Sequence, residues 1–498
     1  MRNKILSLLL SVILMVALAG CSGDKETNTS SKGDGINFDE EPFTLTVAYA
    51  VNGDTPGDLA KVQEKVNEIT LKKINAKVEF KPVAVSAMAN TYTLAASSGE
   101  KLDLIMMLPG SRYITQYAST NMIRPLDEIV DQYGKDIQTS LGDILEVTKV
   151  NGKLYGIPGK RSYVQAKGFW LHDGLVKKHN IDVSQIKSVD DLDPILEKIH
   201  ASEPDVQTFF PTGVSYYLLN FDNLGDGFGV LRDAGTKDLK VVNMLETEEY
   251  INTVKKVREW YQKGYISKDF ATTQTTPTEM MDANKLFAAP NSTDFANAQL
   301  GNKVPKQYAT IHAPVDITTN RQTYIWSVPA IAKRPEKSIQ FLNLTFEDQE
   351  LATLLKFGIE GEHFTKNSDG SIDTSKSNSK TFLQYWPIWG DGEKYPIEMR
   401  ELVGLGGDIE KYNSAFEEWK KNTKTSKAFG FMFDPQPVKT EIASCTAVME
   451  QYQKLLEGGA LDPDKYLKII NDELYAAGLQ KIIDEKQKQL DAWAKTQK

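Results

Sequence analysis

The chain has 498 residues, of which 41% are hydrophobic and 25% are charged, and its formal net charge is −9. This length is too great for one hydrophobic core, so two or more domains are expected, and the composition is that of a soluble globular protein. The acidic balance, without clustered basic residues, argues against a nucleic-acid partner and against attraction to anionic lipid.

The N-terminus carries the pattern of an export signal. Arg2 and Lys4 give a positive start, and residues 5–18 are almost wholly apolar but shorter than the ~20 residues of a transmembrane helix. The sequence Leu-Ala-Gly-Cys at 18–21 resembles the lipobox of bacterial lipoproteins. That resemblance implies a signal peptide over 1–20 that is cleaved before Cys21, and a diacylglycerol on the Cys21 thiol. An ordinary signal peptide that happens to precede a cysteine is the alternative.

A polar segment follows the signal. Residues 22–37 are rich in Ser, Thr, Gly, Asp and Lys and hold a single apolar residue, Ile36. Such a composition buries too little surface to order itself, and its Gly and Ser content makes it flexible. We therefore expect a tether over 21–42 between the lipid and the folded body, with several acyl chains providing stable membrane attachment.

Strand and helix patterns alternate in the first part of the folded body. Residues 43–49 alternate large and small side chains as a strand does, residues 78–83 predict a second strand, and the nearly continuous apolar run 102–107 is typical of a strand buried in a parallel sheet. Helices are expected after Thr55, as an N-cap, and over 85–96. This β-α-β-α-β order predicts an open α/β sheet.

The loops that follow these strands are candidate ligand sites. Ligands on open α/β sheets bind in the crevice at the carboxyl ends of the strands. Asn52 and Asp54 follow the first strand, and Arg112 follows the third. The competing interpretations are ordinary turn chemistry for the first two and a solvated charge for Arg112.

Later segments predict a second α/β unit and a helical tail. A helical stretch is expected over 114–133, a hairpin turn at Asn151-Gly152 and a strand over 168–172. Thr247 is expected to cap a helix whose buried face holds Tyr250, Val254, Val257 and Tyr261. Helices are also expected over 336–344 and throughout the chain beyond Pro437, including one that starts at Asp462-Pro463.

The cysteines and histidines predict neither a disulfide nor a metal site. The chain has two cysteines and five histidines, and the histidines show no ligand spacing. With Cys21 used for lipid attachment, Cys445 is left without a disulfide partner. Cys445 falls on the apolar stripe of a predicted helix, so we expect a buried, inert thiol.

Several motifs in order resemble the extracellular solute-binding proteins of ABC importers, in the cluster that includes the maltose-binding protein. The motifs are SGEKLD at 98–103, NGKLYGIP at 151–158, YQKGYIS at 261–267 and KRPEKSIQFLN at 333–343. The segment GIEGEHF at 358–364 and the helical tail are similar to a lipoprotein subgroup with a distinctive C-terminal domain, usually assigned to oligosaccharide uptake in Gram-positive bacteria.

The resemblance implies an α/β, two-lobe, periplasmic-binding-protein-like fold with hinge strands and a helical C-terminal extension. The first lobe would comprise 43–157 plus 326–370, and the second 162–322 plus 371–498. Two strands, roughly 155–161 and 323–327, would cross between the lobes. Ligand would bind between the lobes, and closure would present a surface to the permease.

Sugar recognition suggests the remaining candidates. Pyranose faces need flat apolar partners, and hydroxyls need planar hydrogen-bonding groups. The aromatic candidates are Trp170, Trp326, Trp386 and Trp389, and the polar candidates beyond the first sheet are Arg161, Asp222 with its neighbour Asn223, and Asn291. Core packing is the competing interpretation for each Trp, a solvated charge for Arg161, and loop or capping chemistry for the rest.

The motifs of catalysis are missing from the sequence. Glu360 and Glu362 are separated by two positions, which do not face each other on a helix, and no Ser-His-Asp elbow, metal motif or phosphate loop is present. We therefore predict a lipid-anchored, monomeric receptor without a cofactor, which captures an oligosaccharide and delivers it to an ABC permease. A receptor for a peptide or another polar solute is the first alternative, and a lipoprotein glycan hydrolase is the second.

Overall fold

The computed structural model describes residues 36–51, 55–108, 114–160, 164, 166–273, 275–293, 304–378, 380–382 and 387–497. Its strands are β1 (Phe43–Val51), β2 (Ala76–Ala84), β3 (Leu104–Met107), β4 (Lys149–Val150), β5 (Lys153–Leu154), β6 (Ile157–Pro158), β7 (Ala166–His172), β8 (Gln207–Phe209), β9 (Val230–Leu231), β10 (Val241–Val242), β11 (Leu286–Thr293), β12 (Lys306–His312), β13 (Val315–Asp316), β14 (Ile325–Ser327), β15 (Thr365–Lys366), β16 (Ile372–Asp373) and β17 (Lys424–Thr425).

The α-helices are α1 (Leu59–Ile74), α2 (Met88–Ser98), α3 (Ile114–Ser119), α4 (Asp127–Tyr133), α5 (Lys135–Leu141), α6 (Asp173–Lys178), α7 (Asp193–Ser202), α8 (Val214–Leu218), α9 (Glu248–Gln262), α10 (Pro277–Asp282), α11 (Thr318–Arg321), α12 (Pro335–Glu347), α13 (Gln349–Phe357), α14 (Ile409–Asn422), α15 (Lys439–Glu457), α16 (Pro463–Ala477) and α17 (Leu479–Ala494). Within the described ranges, each helix is too short or too polar to cross a membrane.

The first lobe is built on a sheet with the strand order β2-β1-β3-β14-β6. β1 runs parallel to both β2 and β3, whereas β14 runs antiparallel to β3 and β6. Leu104–Met107 is buried at every position, which confirms the prediction of a strand covered on both faces. The predicted open α/β sheet is therefore confirmed, and β6 and β14 lie where the resemblance expected the crossing strands.

Two helix predictions in this lobe are wrong at their ends. Thr55 does not cap a helix, because α1 begins only at Leu59. The backbone N–H groups of Gly57 and Asp58 instead donate to the carbonyl oxygens of Lys380 and Thr381, at 2.9 and 3.1 Å. A distant segment thus accepts hydrogen bonds from backbone N–H groups near the start of the helix, where the sequence predicted an N-cap. The helix expected over 114–133 is also interrupted, since Pro125 stands between α3 and α4.

The second lobe is built on a sheet with the order β12-β7-β11-β8, in which β7 runs antiparallel to both of its neighbours. Gly168 is required in β7, because a Cβ atom there would lie 1.9 Å from the carbonyl oxygen of Ala309. Thr247 caps α9 as predicted, since its hydroxyl accepts a hydrogen bond of 3.3 Å from the N–H of Tyr250. The predicted second α/β unit is therefore present.

The C-terminal helices α15, α16 and α17 pack around a core that also takes in strands of the second lobe. Cys445, Leu474, Ile482 and Leu490 are all buried in this core together with Leu231 of β9. Burial raises the pKa of the Cys445 thiol to about 11, so the thiol stays protonated near neutral pH. The prediction that Cys445 is buried is confirmed, and its lack of reactivity stays a prediction.

A segment near residue 390 packs on the first lobe. Phe382 and Trp389 belong to the core that contains β1 and β3, and a Cβ on Gly390 would lie 1.9 Å from the Thr345 carbonyl oxygen of α12. The expected lobe boundary at residue 370 assigns this segment to the second lobe. Its contacts are with the first sheet because the Trp389 ring fills a space among first-lobe aromatic residues.

Candidate functional site

The described residues line three cavities that meet around residues 222–229, here called the central loop. Asp226 of this loop lines all three. We name them the cleft cavity, of about 220 Å³, the junction cavity, of about 270 Å³, and the helix cavity, of about 750 Å³. The last volume lies within the ~300–1,000 Å³ range that is typical of small-molecule sites.

The cleft cavity combines an open aromatic ring with amides and a lysine. Its wall includes Tyr216, Asn220, Asn223 and Asn320. Tyr216 is 46% exposed, which leaves its ring open to a ligand. Lys167 Nζ donates to the Leu219 carbonyl oxygen at 2.9 Å and lies 5.5 Å from the centre of the Tyr216 ring.

The protonation of Lys167 is shifted by its surroundings. Burial lowers the pKa of its ammonium group to about 8, although the carboxylate of Asp222 acts in the opposite direction. The charged form of Lys167 in the cleft cavity is therefore less stable than that of a lysine in water.

The junction cavity lies between the two lobes. Thr115 of α3 in the first lobe faces it, together with Thr318 and Gln322 of the segment that leads into β14, and Asp222 lies in its wall. The Asp222 carboxylate is buried and accepts hydrogen bonds of 3.1 Å from the Leu224 N–H and the Ser426 hydroxyl. Burial raises the pKa of this carboxyl group, and the two hydrogen bonds oppose the rise.

The helix cavity lies between the second-lobe core and the C-terminal helices. Its wall includes Phe210, Phe270 and the threonines at 273, 275 and 276 on one side, and α15 on the other. Apolar ring atoms and hydroxyl groups therefore face the same space. This combination suits a ligand that has both apolar faces and hydroxyl groups, as a pyranose does.

Several of the predicted site residues lie outside the described residues. These are Cys21, Asn52, Asp54, Arg112, Arg161 and Trp386. Their roles stay predictions from the sequence.

Trp326 and Trp389 lie in the core of the first lobe. Their side chains are 1% and 0% exposed, and their rings stack with centroids 4.2 Å apart. Trp326 Nε1 donates to the Ile388 carbonyl oxygen at 2.9 Å. The Trp389 ring also meets Tyr49 and Phe341 edge-on. Protein atoms cover both indoles, so we do not include them in the proposed site.

The other described candidates are spread over the second lobe. Trp170 is half-buried beneath the Lys306 ammonium, 4.9 Å from its ring centre, and it packs with Phe210. Asn291 is half-buried in β11, and its backbone oxygen accepts a hydrogen bond of 3.0 Å from the Tyr308 hydroxyl. The residues that line the three named cavities include Asp222 and neither of these two. Their ligand contacts also stay predictions.

Sequence reasoning singled out Asn223 but missed three residues that line the same cavity. Tyr216, Lys167 and Asn320 are brought together although up to 153 positions, from 167 to 320, separate them in the chain. A local signal existed only for Tyr216, in the tyrosine pair that follows Thr212-Gly213. The other two residues carry no local pattern that distinguishes them from surface residues.

Polar groups of the site are held by the protein itself. The buried carboxylate of Asp222 accepts hydrogen bonds from Leu224 and Ser426. Within the described ranges, no group of three or more His, Cys, Asp or Glu side chains is placed to hold a metal ion. A two-lobe fold with polar and aromatic cavities, one of them between the lobes, is typical of a solute-binding protein.

Comparison with known proteins identifies the family. Residues 64–361 match the family described as bacterial extracellular solute-binding protein, and this match covers more than half of the chain. The chain belongs to that family. Residues 427–495, which include α15, α16 and α17, match a domain of unknown function.

Individual relatives agree with this assignment. A carbohydrate ABC transporter substrate-binding protein of Streptococcus pneumoniae serotype 4 is 27% identical over 500 residues, covering 98% of this chain and 97% of the relative. Lipoprotein LipO of Bacillus subtilis is 22% identical and covers 77% of each chain.

Solved structures show the same fold. The N-glycan transport solute binding protein NgtS of Streptococcus pneumoniae has a TM-score of 0.80 at 23% identity, covering 92% of this chain and all of its own. Its complexes with Man1GlcNAc and Man5GlcNAc have TM-scores of 0.72 and 0.68 at 22% and 24% identity, each covering at least 91% of this chain and 99% of the other. The predicted two-lobe fold with a helical C-terminal region is therefore confirmed.

Proposed function

We propose that this protein captures an oligosaccharide between its two lobes and delivers it to an ABC importer. The observation that carries the proposal is the open Tyr216 ring beside amide and charged groups, in a second-lobe cavity that shares Asp226 with the cavity between the lobes. An aromatic face can cover the C–H surface of a pyranose, while neighbouring amides bind its hydroxyls. The relatives support a glycan, since one is a carbohydrate ABC transporter substrate-binding protein and NgtS has been solved with two N-glycan fragments.

Capture proceeds by closure of the lobes. The resemblance implies that the segments around β6 and β14 join the lobes, and a small number of backbone dihedral changes there would move one lobe relative to the other. A ligand that contacts both lobes stabilises the closed state, so it shifts the population toward closure. We place the crossing near 157–160 and 316–325, and we assign Phe382 and Trp389 to the first lobe on the basis of their packing.

Isothermal titration calorimetry of the mature protein against neutral glycans, uronate oligosaccharides and peptides tests the ligand class. We expect heat of binding with glycans and none with peptides. Binding of a peptide alone would replace this proposal with that of a peptide receptor, and turnover of a glycan would replace it with that of a hydrolase.

The membrane attachment is a separate part of the proposal. We expect a monomeric receptor that a lipid on Cys21 holds at the outer face of the cell membrane, close to the permease. The relative LipO is named a lipoprotein, which supports the anchor. Cells fed labelled palmitate should incorporate label into the wild-type protein and lose it in Cys21→Ser. Equal labelling of both proteins, or labelling of neither, would contradict the anchor.

A further inference from the structure

The helix cavity is the largest of the three cavities named here, and the C-terminal helices form one side of it. Six residues of α15 line it at helical spacing: Thr446, Met449, Glu450, Gln453, Lys454 and Glu457. The adjacent face of the same helix, which includes Cys445 and Leu456, is buried in the C-terminal core. One helix therefore divides its surface between a core and a cavity.

The helix cavity is a neighbour of the proposed ligand site at the central loop. Asp226 and Gly227 line both the helix cavity and the cleft cavity, and Gln453 of α15 does so as well. The ring of Tyr216 and one face of α15 therefore lie on adjacent cavities.

A lysine of the last helix forms hydrogen bonds with the central loop. Lys486 of α17 is fully buried and donates both to Asp226 Oδ1 and, at 3.1 Å, to the Gly229 carbonyl oxygen. Among the described residues, Asp226 Oδ2 and Asn223 Oδ1 have no hydrogen-bond partner although both atoms are buried. Buried acceptors of this kind are normally paired, and the hydroxyl groups of a sugar are suitable donors.

The charges around the cavity favour a neutral ligand. Glu450 is exposed at its wall and Glu457 is buried in it. The ammonium of Lys454 already donates to the Ala271 carbonyl oxygen, and that of Lys486 is paired with Asp226. The described lining of the cavity holds three carboxyl groups, of Asp226, Glu450 and Glu457, and one ammonium group, of Lys454, so a uronate carboxylate would meet more like charge than opposite charge.

We propose that the C-terminal helices form one wall of an extended glycan groove, which takes the distal arm of a long, neutral oligosaccharide. The inference rests on the proposed function and assigns a role to the region that matches a domain of unknown function. It places the groove beyond Tyr216, between the threonines at 273, 275 and 276 and helix α15, with Asp226 and Asn223 as hydroxyl acceptors at its entrance.

A plug in the groove tests the inference. Glu450→Trp fills the helix cavity from an exposed helix position, and Gln451→Trp places the same ring at the neighbouring exposed position, outside the cavity lining. The probes are Man1GlcNAc, Man5GlcNAc and a hexamer of galacturonate, titrated by calorimetry. We expect Glu450→Trp to weaken Man5GlcNAc binding at least tenfold and Man1GlcNAc binding less than twofold, and Gln451→Trp to change neither.

The outcomes separate the groove from the function. Wild-type protein that binds Man5GlcNAc at least tenfold more tightly than the galacturonate hexamer supports a neutral arm, and the opposite order overturns it. Equal affinity for the two mannosides, unchanged by Glu450→Trp, overturns the groove and leaves the receptor proposal standing. Wild-type protein that binds no glycan overturns the receptor proposal and this inference together. Thermal melting of both variants checks that the fold is retained.

Discussion

The two lobes use their aromatic residues in opposite ways. In the first lobe, Trp326 and Trp389 stack at a centroid distance of 4.2 Å and are almost completely buried. In the second lobe, Tyr216 is 46% exposed and faces a cavity. The burial of the ring faces therefore distinguishes the packing residues of the first lobe from the candidate binding residue of the second.

The difference follows from sheet topology. β14 lies between β3 and β6, inside a sheet that is covered on both faces, so Trp326 on this strand is buried. α8, by contrast, is a single short helix that starts after Gly213, a residue with a φ of +54°, and its outer face carries Tyr216. Central strands bury large rings, and short surface helices present them.

The largest expected effect is a loss of unfolding free energy when the stacked pair of Trp326 and Trp389 in the first lobe is disrupted. Trp389→Ala removes a ring that contacts Trp326, Tyr49, Phe80 and Phe341, and it leaves a cavity in a close-packed core. Truncation of a buried Trp costs about 3–5 kcal/mol of unfolding free energy. Urea denaturation should therefore show a loss of that size, with Trp389→Phe losing less. A variant as stable as the wild type would mean that the ring is not part of this core.

The second effect concerns the buried cation of the cleft cavity. The pKa of Lys167 is about 8 in the folded protein, against 10.5 in the unfolded chain. Between these values the unfolded chain binds a proton that the folded protein has released, so this lysine makes the unfolding free energy rise with pH. The Lys167→Met variant lacks this pH-dependent contribution to the unfolding free energy. The stability of the wild type relative to the variant should grow by about 2 kcal/mol from pH 7 to pH 10.

Chemical denaturation at several pH values measures this difference. The Asp222 carboxylate, which favours the charged form of Lys167, remains in both proteins, so the comparison isolates the lysine. A difference in stability that is constant between pH 7 and pH 10 would contradict the assignment of a buried, destabilised ammonium group.

The sequence predicted features that depend on nearby residues. The Thr247 cap and the Asp462 cap each involve a side chain and a backbone N–H within three positions, and both are present. The Asn151-Gly152 turn also forms, with φ values of +51° and +77° that suit a tight hairpin. Such features were predictable because their energetics are local.

Features that depend on distant partners were not predictable. The start of α1 is moved by hydrogen bonds to Lys380 and Thr381, more than 300 positions away. Trp389 is buried because Tyr49 and Phe341 approach it, and no local pattern reports those neighbours. The candidate site has the same character, since Lys167, Asn223 and Asn320 meet only in the folded chain.

The smallest expected effect is on the open ring of the second lobe. Tyr216→Ala removes a ring that is 46% exposed, so the unfolding free energy should change by about 0.5 kcal/mol or less. If the ring stacks on a pyranose, glycan affinity should fall by about 0.5–1.5 kcal/mol, which is roughly two- to tenfold. Tyr216→Phe keeps the ring and serves as the matched control in calorimetry. A loss of affinity in Tyr216→Phe equal to that in Tyr216→Ala would show that the hydroxyl, rather than the ring face, makes the contact.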